Sequence, residues 1–284
     1  FKDGEPNEQL SWSESGVHGN FSWILPVSLN FSRSPANSFL DRQSLGNIPS
    51  WKQEYTNGIS EMGHHAFTPK FTWKSGRDSV TLSSMVFLGP SEKNTTTSAY
   101  DLLNGANNFT RNSKEDGSSR TLRVRLEGEK YFGEAKLSGR FTLKNNQNEL
   151  DLSRLTSLNS NISENTKSDE NEFNGATRWD QPIDLHFISL GVEYNKLSRD
   201  DSQTFLGIDA GQSQFKSSSQ DQILWLQDVW TPQDSVTLTS GLRMENMELK
   251  SDGNGHQDFA LLPSVAVRWQ PKEEWVLRTS LGAG

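Results

Sequence analysis

The stretch "NFSWILPVSLNFSR", Asn20 to Arg33, carries the pattern on which the prediction of the fold depends. From Phe21 to Phe31 every second residue is large and apolar, and most residues between them are Asn, Ser or Pro. A period of two is typical of a β-strand with one apolar and one polar face. That apolar face packs either in the core of a soluble protein or against lipid, and the rest of the sequence has to decide between the two.

The same alternation recurs along the whole chain. In one later segment Leu122, Val124 and Leu126 alternate with charged side chains, and no convincing amphipathic helix interrupts the series. The pattern predicts about twelve strands. They are residues 7–14, 20–33, 64–74, 79–89, 119–131, 134–146, 173–182, 185–198, 221–231, 235–249, 259–270 and 275–284.

Composition excludes several classes of protein. The 284 residues are 32% hydrophobic and carry a net charge of −8, which argues against nucleic acid as a partner. No apolar run reaches the roughly 18 residues of a transmembrane helix, although a barrel that crosses a membrane with strands needs no such run. The absence of cysteine excludes disulfides, thiol catalysis and Cys-ligated metals.

Short and long connections alternate along the chain. Tight turns are predicted at 75–78, 131–134, 181–184, 231–234 and 270–274, and long polar segments at 34–63, 90–118, 147–172, 199–220 and 250–259. In an up-and-down sheet this places all short turns at one end and all long loops at the other. Outer-membrane barrels have this asymmetry, with short periplasmic turns and long extracellular loops.

Aromatic and charged residues support the same interpretation. The aromatic rings beside the short turns predict a girdle at the membrane–water interface. Its members are Trp73, Tyr131, Trp230, Trp269 and Trp275. Charged residues in mid-strand, opposite the apolar face, predict a water-filled lumen. They are Arg123, Arg125, Glu127, Lys136, Arg140 and Arg243.

One hairpin is regular enough for a prediction of register. If the turn within 119–146 centres on Phe132 and Gly133, Glu129 lies opposite Lys136 and Arg125 lies opposite Arg140.

The C-terminal third of the chain resembles the barrel of TonB-dependent outer-membrane receptors. "LWLQDVWTPQDSVTLTSGLRMEN" (224–246) is similar to their aromatic strand with Gln-Asp-x-Trp, followed by a short turn and a strand ending in Gly-Leu-Arg. "LLPSVAVRWQPKEEWVLRTSLGAG" (261–284) resembles the next hairpin. The likeness is fairly specific over 221–284 and rests on strand rhythm alone over 20–200.

The resemblance implies a fold, a location and a function. The fold would be all-β, an antiparallel up-and-down transmembrane barrel in the outer membrane of a Gram-negative bacterium. Such receptors take up scarce ligands such as ferric siderophores, energised by the TonB protein through an N-terminal plug domain. Their partners would be TonB, the lipid bilayer with its lipopolysaccharide, and a small iron chelate. No cofactor and no catalysis are implied.

The resemblance also suggests that residues 1–284 are a fragment of such a barrel. No plug sequence is recognisable, and the predicted strands are about half of the 22 in such receptors. We therefore expect an open sheet in which strands 7–14 and 275–284 form no full ladder.

Few residues are candidates for chemistry. His64 and His65 are adjacent on a strand, so at most one faces the lumen, and an ordinary loop-end role is favoured over a metal site. "DGNGHQD" (252–258) lacks the full ligand pattern of a calcium loop and is expected to be a hairpin turn. His186 beside Ser189 is a weak candidate for a hydrolytic pair. We predict no catalytic or metal site and assign no ligand-binding residue, although Phe39, Trp51, Tyr55, Tyr100, Phe109 and Phe205 are loop aromatics able to touch a ligand.

Two other functions remain open from the sequence. One is a passive, porin-like outer-membrane channel, and the other is a soluble β-protein that binds carbohydrate.

Overall fold

A computed structural model describes residues 7–44, 50–103, 108–157, 161–207 and 210–283. In these residues the chain forms antiparallel strands. The strands are β1 (Glu8–His18), β2 (Phe21–Pro35), β3 (Ser38–Ser44), β4 (Ser50–Phe67), β5 (Lys70–Ser75), β6 (Asp78–Asp101), β7 (Phe109–Phe132), β8 (Ala135–Thr156), β9 (Asn161–Ile183), β10 (His186–Leu206), β11 (Gly211–Gln233), β12 (Val236–Ser251), β13 (Asn254–Lys272) and β14 (Trp275–Gly282). No helix in the described ranges has the length and apolar character needed to cross a membrane.

The strands form one up-and-down sheet. From β14 back to β5 each strand pairs with its neighbour in sequence, and the order ends β5-β2-β4-β3, with β1 on β2. β4 and β5 follow one line along the sheet, interrupted at Thr68 and Pro69, since both pair with β2 and with β6. Within the described strands no ladder joins β1 to β14, as expected from the strand number.

Two-residue turns close the hairpins at one end of the sheet. Ser75 pairs with Asp78, Phe132 with Ala135 and Ile183 with His186. Two of these turns depend on a left-handed glycine, at Gly76 (φ 59°) and Gly133 (φ 65°). The short turns therefore lie at one end and the polar segments at the other, as the alternation of connection lengths predicts.

The polar segments differ from the prediction. They are strand rather than loop over most of their length, because β6 to β11 continue far beyond the predicted strand ends, and β3 and β4 form an additional hairpin within 34–63. The described residues thus form fourteen strands instead of the predicted twelve. Parts of the predicted loops, at 45–49, 104–107, 158–160 and 208–209, lie outside the described residues.

Polar side chains hold these extensions together. Thr56 and Thr97 share a hydrogen bond of 2.9 Å, and Thr96 donates one of 3.0 Å to Asn112. Since both faces are polar here, the apolar period of two disappears, and with it the signal that identifies a strand in the sequence.

The registers divide the sheet into two faces, which we call the apolar face and the polar face. Leu126 lies opposite Phe141, and Leu190 lies between Trp179 and Leu226, all on the apolar face. This face changes character along each strand: on β10 it is apolar from Ile188 to Tyr194 and then bears Lys196, Ser198 and Asp200. The nine residues from His186 to Tyr194 match the 9–11 or so that a transmembrane β-strand needs.

The hairpin of β7 and β8 corrects the predicted register by two residues. Glu129 pairs with Ser138 and Arg125 with Thr142, instead of with Lys136 and Arg140. The reason is the turn, which lies at Gly133 and Glu134 and not at Phe132 and Gly133. A shift of two residues leaves every side chain on its predicted face.

Candidate functional site

The six charged residues that the sequence predicts to face a lumen share the polar face. On β7 and β8, Glu127 lies opposite Arg140 and Arg123 lies opposite Lys144. On β12, Arg243 lies opposite Trp225 of β11, whose ring belongs to the same face. Since strands alternate, Arg125 and Lys136 lie on this face too. The charges thus form one continuous surface.

Most of these charges are paired with a neighbour two residues along the strand or across it. Arg125 donates to Glu127, and Arg243 donates to Glu245. The ammonium of Lys136 lies 2.8 Å from the Glu129 carboxylate. Paired charges of both signs fit a hydrated channel wall better than a patch specific for anions or cations.

A cluster that the sequence analysis did not identify lies on the same face near the short turns. Asp180 accepts hydrogen bonds of 2.6 Å from both Arg178 Nε and Ser189 Oγ. Ser189 is 3% exposed and Asp180 is 8% exposed, so the two are among the few buried polar residues of the sheet. The guanidinium of Arg178 also lies 5.6 Å from the centre of the Trp225 ring, and Trp225 Nε1 donates to Glu193 at 3.1 Å.

A signal for this cluster was present in the sequence. Arg178 and Asp180 alternate with Trp179, which is the pattern of an ion pair on one face with an aromatic residue on the other. Ser189 follows the next short turn at the distance that brings it opposite Asp180. The pairing was not predictable without the position of that turn.

The polar face also holds a cavity of about 600 Å³. Its walls include Glu127, Glu129, Arg140, Arg178 and Trp225. Hydrogen-bond donors and acceptors of both charges line this space, so it can hold water and polar solutes. The described residues contain no group of three or more His, Cys, Asp or Glu placed to hold a metal ion.

The predicted aromatic girdle is divided between the two faces. Trp73, Trp230, Trp269 and Trp275 lie on the apolar face close to the short turns. Tyr131 lies instead on the polar face, opposite Lys136, and the Arg77 guanidinium stacks 3.9 Å from its ring centre. The prediction for Tyr131 needs correction because proximity to a turn does not reveal the face.

Trp179 belongs with the four Trp residues although the prediction omitted it. It lies opposite Leu137 on the apolar face, and its ring is 5.7 Å from that of Phe132.

The histidines are dispersed by strand alternation. His64 lies on the polar face near the Phe87 ring (5.8 Å), whereas His65 lies opposite Leu88 on the apolar face. His186 Nδ1 is 2.8 Å from the Asp228 carboxylate, again on the apolar face. Ser189 is on the other side of the sheet, so the weak candidate pair of His186 and Ser189 is not assembled.

Residues 252–258 form a hairpin, as expected. The turn at Asp252 and Gly253 joins β12 to β13, and both residues have positive φ angles, of 46° and 85°.

Ion pairs lie on the outer parts of β8 to β11, on the side of the sheet that is apolar nearer the short turns. Lys167 Nζ lies 2.7 Å from Glu149, and this hydrogen bond holds the pKa of the Glu149 carboxyl below its ordinary value. Hydrogen bonds from Gln214 and then Lys216 lower the pKa of Asp200 in the same way. These groups lie outside the membrane-spanning part of the strands.

The predicted loop aromatics are partly assembled. Phe39, Tyr55 and Tyr100 come together on β3, β4 and β6 in the part of the sheet farthest from the short turns, with Trp51 nearby. Phe109 and Phe205 lie at the outer ends of β7 and β10.

Comparison with protein families adds the observation that decides the assignment. The profile of the family described as TonB dependent receptor-like, beta-barrel matches residues 64–284, which is more than half of the chain. The chain belongs to this family. Its barrels are outer-membrane proteins, and the two-faced antiparallel sheet is accordingly an outer-membrane β-barrel fold.

Solved structures of low sequence identity are similar to the chain. The ferric preacinetobactin receptor BauA from Acinetobacter baumannii is 11% identical, with a TM-score of 0.45, over 95% of this chain and 46% of that one. The pyoverdine outer-membrane receptor FpvA from Pseudomonas aeruginosa PAO1 is 9% identical, with a TM-score of 0.46, over 87% and 49%. The outer-membrane protease OmpT from Escherichia coli is 8% identical, with a TM-score of 0.27, over 86% and 96%.

The chain therefore spans less than half the length of the two receptors that it resembles. Among curated proteins none matches it.

Proposed function

We infer that this TonB-dependent receptor barrel takes up a scarce ligand, such as a ferric siderophore, across the outer membrane. The observation that supports this most directly is the division of one sheet into an apolar face of membrane-spanning height and a polar face of paired charges, in a chain of this family. The polar face would line the lumen, and the four Trp residues near the short turns would lie at the periplasmic interface.

The charge pairs suggest how such a lumen works. Arg125 with Glu127, and Lys136 with Glu129, satisfy each other while remaining in contact with water. A plug domain inside the barrel would exchange these contacts for its own at little net cost, since exposed ion pairs contribute only about 0–1 kcal/mol each. Energy delivered through TonB would then move the plug without unfolding the wall. We expect no catalytic activity.

The experiment that tests this function is uptake of iron by living cells. The gene encoding the full-length protein is deleted, and uptake of ⁵⁵Fe bound to a panel of siderophores is measured under iron limitation. We expect uptake of one chelate to fall to background, to return with the plasmid-borne gene, and to be lost equally in a strain without TonB.

A matched pair of variants connects this uptake to the polar face. Replacement of both Arg125 and Glu127 by Gln leaves polar side chains in place and removes the pair. The same replacement of Lys114 and Asp116, which lie 3.0 Å apart, removes a pair outside the apolar band. Only the first is expected to change uptake. Uptake that persists without TonB would contradict the proposal and indicate a passive channel.

A further inference from the structure

Three aromatic rings from β3, β4 and β6 gather on one face in the part of the sheet farthest from the short turns. The ring of Phe39 is 4.8 Å from that of Tyr55, and Tyr100 meets Tyr55 edge-on at 6.1 Å. All three are exposed, at 56% for Phe39 and 44% for each tyrosine. Phe39, Tyr55 and Tyr100 form what we call the aromatic platform. Clusters of exposed aromatic rings on a water-facing surface mark interaction sites.

Fixed polar groups border the aromatic platform. Asp41 accepts hydrogen bonds from Trp51 Nε1 (2.7 Å) and Gln53 Nε2 (3.2 Å). Gln53 Oε1 in turn accepts one from the Tyr55 hydroxyl at 3.4 Å. This chain of bonds leaves planar amide and carboxylate groups beside the rings, with lone pairs and N–H groups to spare.

The face that carries the aromatic platform is nearly free of charge. Among the alternate residues of Phe39 to Gln43, Trp51 to Asn57 and Thr96 to Tyr100, Asp41 alone is charged and the remainder are aromatic, amide or hydroxyl. The opposite face of the same strands carries Arg42, Lys52 and Glu54.

This asymmetry identifies the chemistry of the occupant. An anionic iron chelate would need cations, and they lie on the other face. A sugar ring presents one apolar C–H face to an aromatic ring and its hydroxyls to amides and carboxylates, which is the combination found here.

The same face also identifies where that sugar comes from. Tyr100 and Leu88 lie on one face of β6, and Leu88 belongs to the apolar face that meets lipid. Twelve residues separate them, which is about 40 Å along the strand. The aromatic platform therefore faces sideways from the barrel, above the outer leaflet, where the saccharide chains of surface glycolipids stand.

We propose that the aromatic platform binds the saccharide chain of the outer-leaflet glycolipid that surrounds the barrel. Phe39 and Tyr55 stack against a pyranose ring, and Tyr100 closes one side. Asp41 accepts hydrogen bonds from the sugar hydroxyls, and the Gln53 amide both donates to them and accepts from them. The site is separate from the lumen, and it does not depend on which ligand the receptor imports.

The test uses the full-length protein purified in detergent and two probes. One is the polysaccharide released by mild acid from the lipopolysaccharide of the strain that carries the gene, freed of its lipid, and the other is dextran of matched size. Isothermal titration calorimetry measures both affinities. We expect the strain polysaccharide to bind at least tenfold more tightly than dextran.

Variants locate the binding. Replacing Phe39 and Tyr55 together by Ala is expected to weaken binding of the strain polysaccharide at least tenfold, whereas Tyr55→Phe retains most of it. Phe215→Ala is the matched control, because it removes an equally exposed ring (42%) from the outer end of β11, away from the aromatic platform. The thermal unfolding midpoint of each variant confirms that the barrel is intact.

Three outcomes would overturn the proposal. Unchanged affinity of the double variant would place the binding elsewhere. Equal affinity for dextran would show that the aromatic platform does not distinguish the glycolipid saccharide from other polysaccharides. Failure of both probes to bind would leave the aromatic platform without a saccharide ligand and favour contact with another protein.

Discussion

Leu190, in the middle of the membrane-spanning part of β10, allows a quantitative test of which face meets lipid, through the free energy of unfolding. Leu190 lies between Trp179 and Leu226 on that face and is 43% exposed. It is one residue from the midpoint between His186 and Lys196, so it lies within about 3 Å of the middle of the bilayer. An Arg here has to place its guanidinium in lipid.

We expect Leu190→Arg to lower the free energy of unfolding by about 2–4 kcal/mol, the cost found for Arg on the lipid face near the midplane. Because 1.4 kcal/mol is about tenfold in an equilibrium constant, the variant unfolds roughly 30- to 700-fold more readily. The measurement is the unfolding of the full-length protein in liposomes by guanidinium, monitored by tryptophan fluorescence. The midpoint and the slope of the unfolding curve are fitted together.

Asn195→Arg is the control on the polar face, just beyond the membrane-spanning part of β10. Asn195 lies opposite Asp221, whose Oδ1 is buried without a hydrogen-bond partner. A guanidinium at 195 is placed to donate to that oxygen, so we expect no loss of stability. Equal losses for the two variants, or a larger loss for Asn195→Arg, would refute the assignment of faces and favour a soluble protein with an apolar interior.

Further predictions concern the polar cluster, the glycines and the outer ion pairs. Ser189→Ala is expected to cost about 1 kcal/mol in liposome unfolding, because it removes a buried hydroxyl donor, and a neutral result would mean that water replaces it. Gly191→Ala places a Cβ 2.2 Å from an indole ring, so it is expected to lower the free energy of unfolding by about 1–3 kcal/mol and to shift tryptophan fluorescence. Gly139→Ala is its control, because the added Cβ meets nothing nearer than 3.6 Å. Equal effects of the two variants would contradict this packing. Lys167→Met is expected to increase hydrogen exchange of the β8–β9 hairpin at every pH above the ordinary pKa of a Glu carboxyl. The difference from wild type is expected to disappear once the pH falls below the lowered pKa of the folded-state Glu149. The sign follows from that lowered pKa, since the stabilisation is present above the unfolded pKa and is lost as the pH falls through the folded one; a difference that stays constant through the acid titration would contradict it.

The sequence predicts the part of the fold that lies in the membrane and the short turns beneath it. A strand with one face in lipid needs an apolar residue at every second position. The alternation from Leu122 to Leu126 is therefore visible in the sequence, and it assigns each residue to a face. Even the two-residue error at the β7–β8 turn left all faces correct, since only odd shifts exchange them.

The outer parts of the strands were not predictable in the same way. In Gly89–Asp101 and Phe109–Ser119 both faces are polar, and the strands are stabilised there by pairs such as Thr96 with Asn112 instead of by an apolar period. Ser, Thr and Asn also favour turns, so the sequence resembles a loop. The structure is needed to show that these residues pair over eleven positions, from Gly89 with Ser119 to Ala99 with Phe109.

Candidate site residues were predictable where the alternation of apolar and polar residues was followed, and not where another criterion replaced it. The six charged residues of the polar face were predictable because each alternates with apolar neighbours in its own strand, as Arg125 does between Val124 and Leu126. Tyr131 was assigned to the wrong face because its proximity to the turn was given more weight than the alternation, which places it two residues from Glu129 on the polar side.

The aromatic platform shows why some sites require the paired strands. Phe39, Tyr55 and Tyr100 are widely spaced in the sequence and lie in segments with no apolar period, so nothing in the chain connects them. Two registers bring them together: β3 with β4 sets Phe39 opposite Tyr55, and β4 with β6 sets Gln53 opposite Tyr100. A slip of one residue in either register would send one ring to the face that bears Arg42 and Lys52 and would disperse the aromatic platform. The long polar extensions therefore do more than lengthen the strands. Because they continue the pairing of the membrane-spanning strands, they fix the face and the height of side chains well above the lipid.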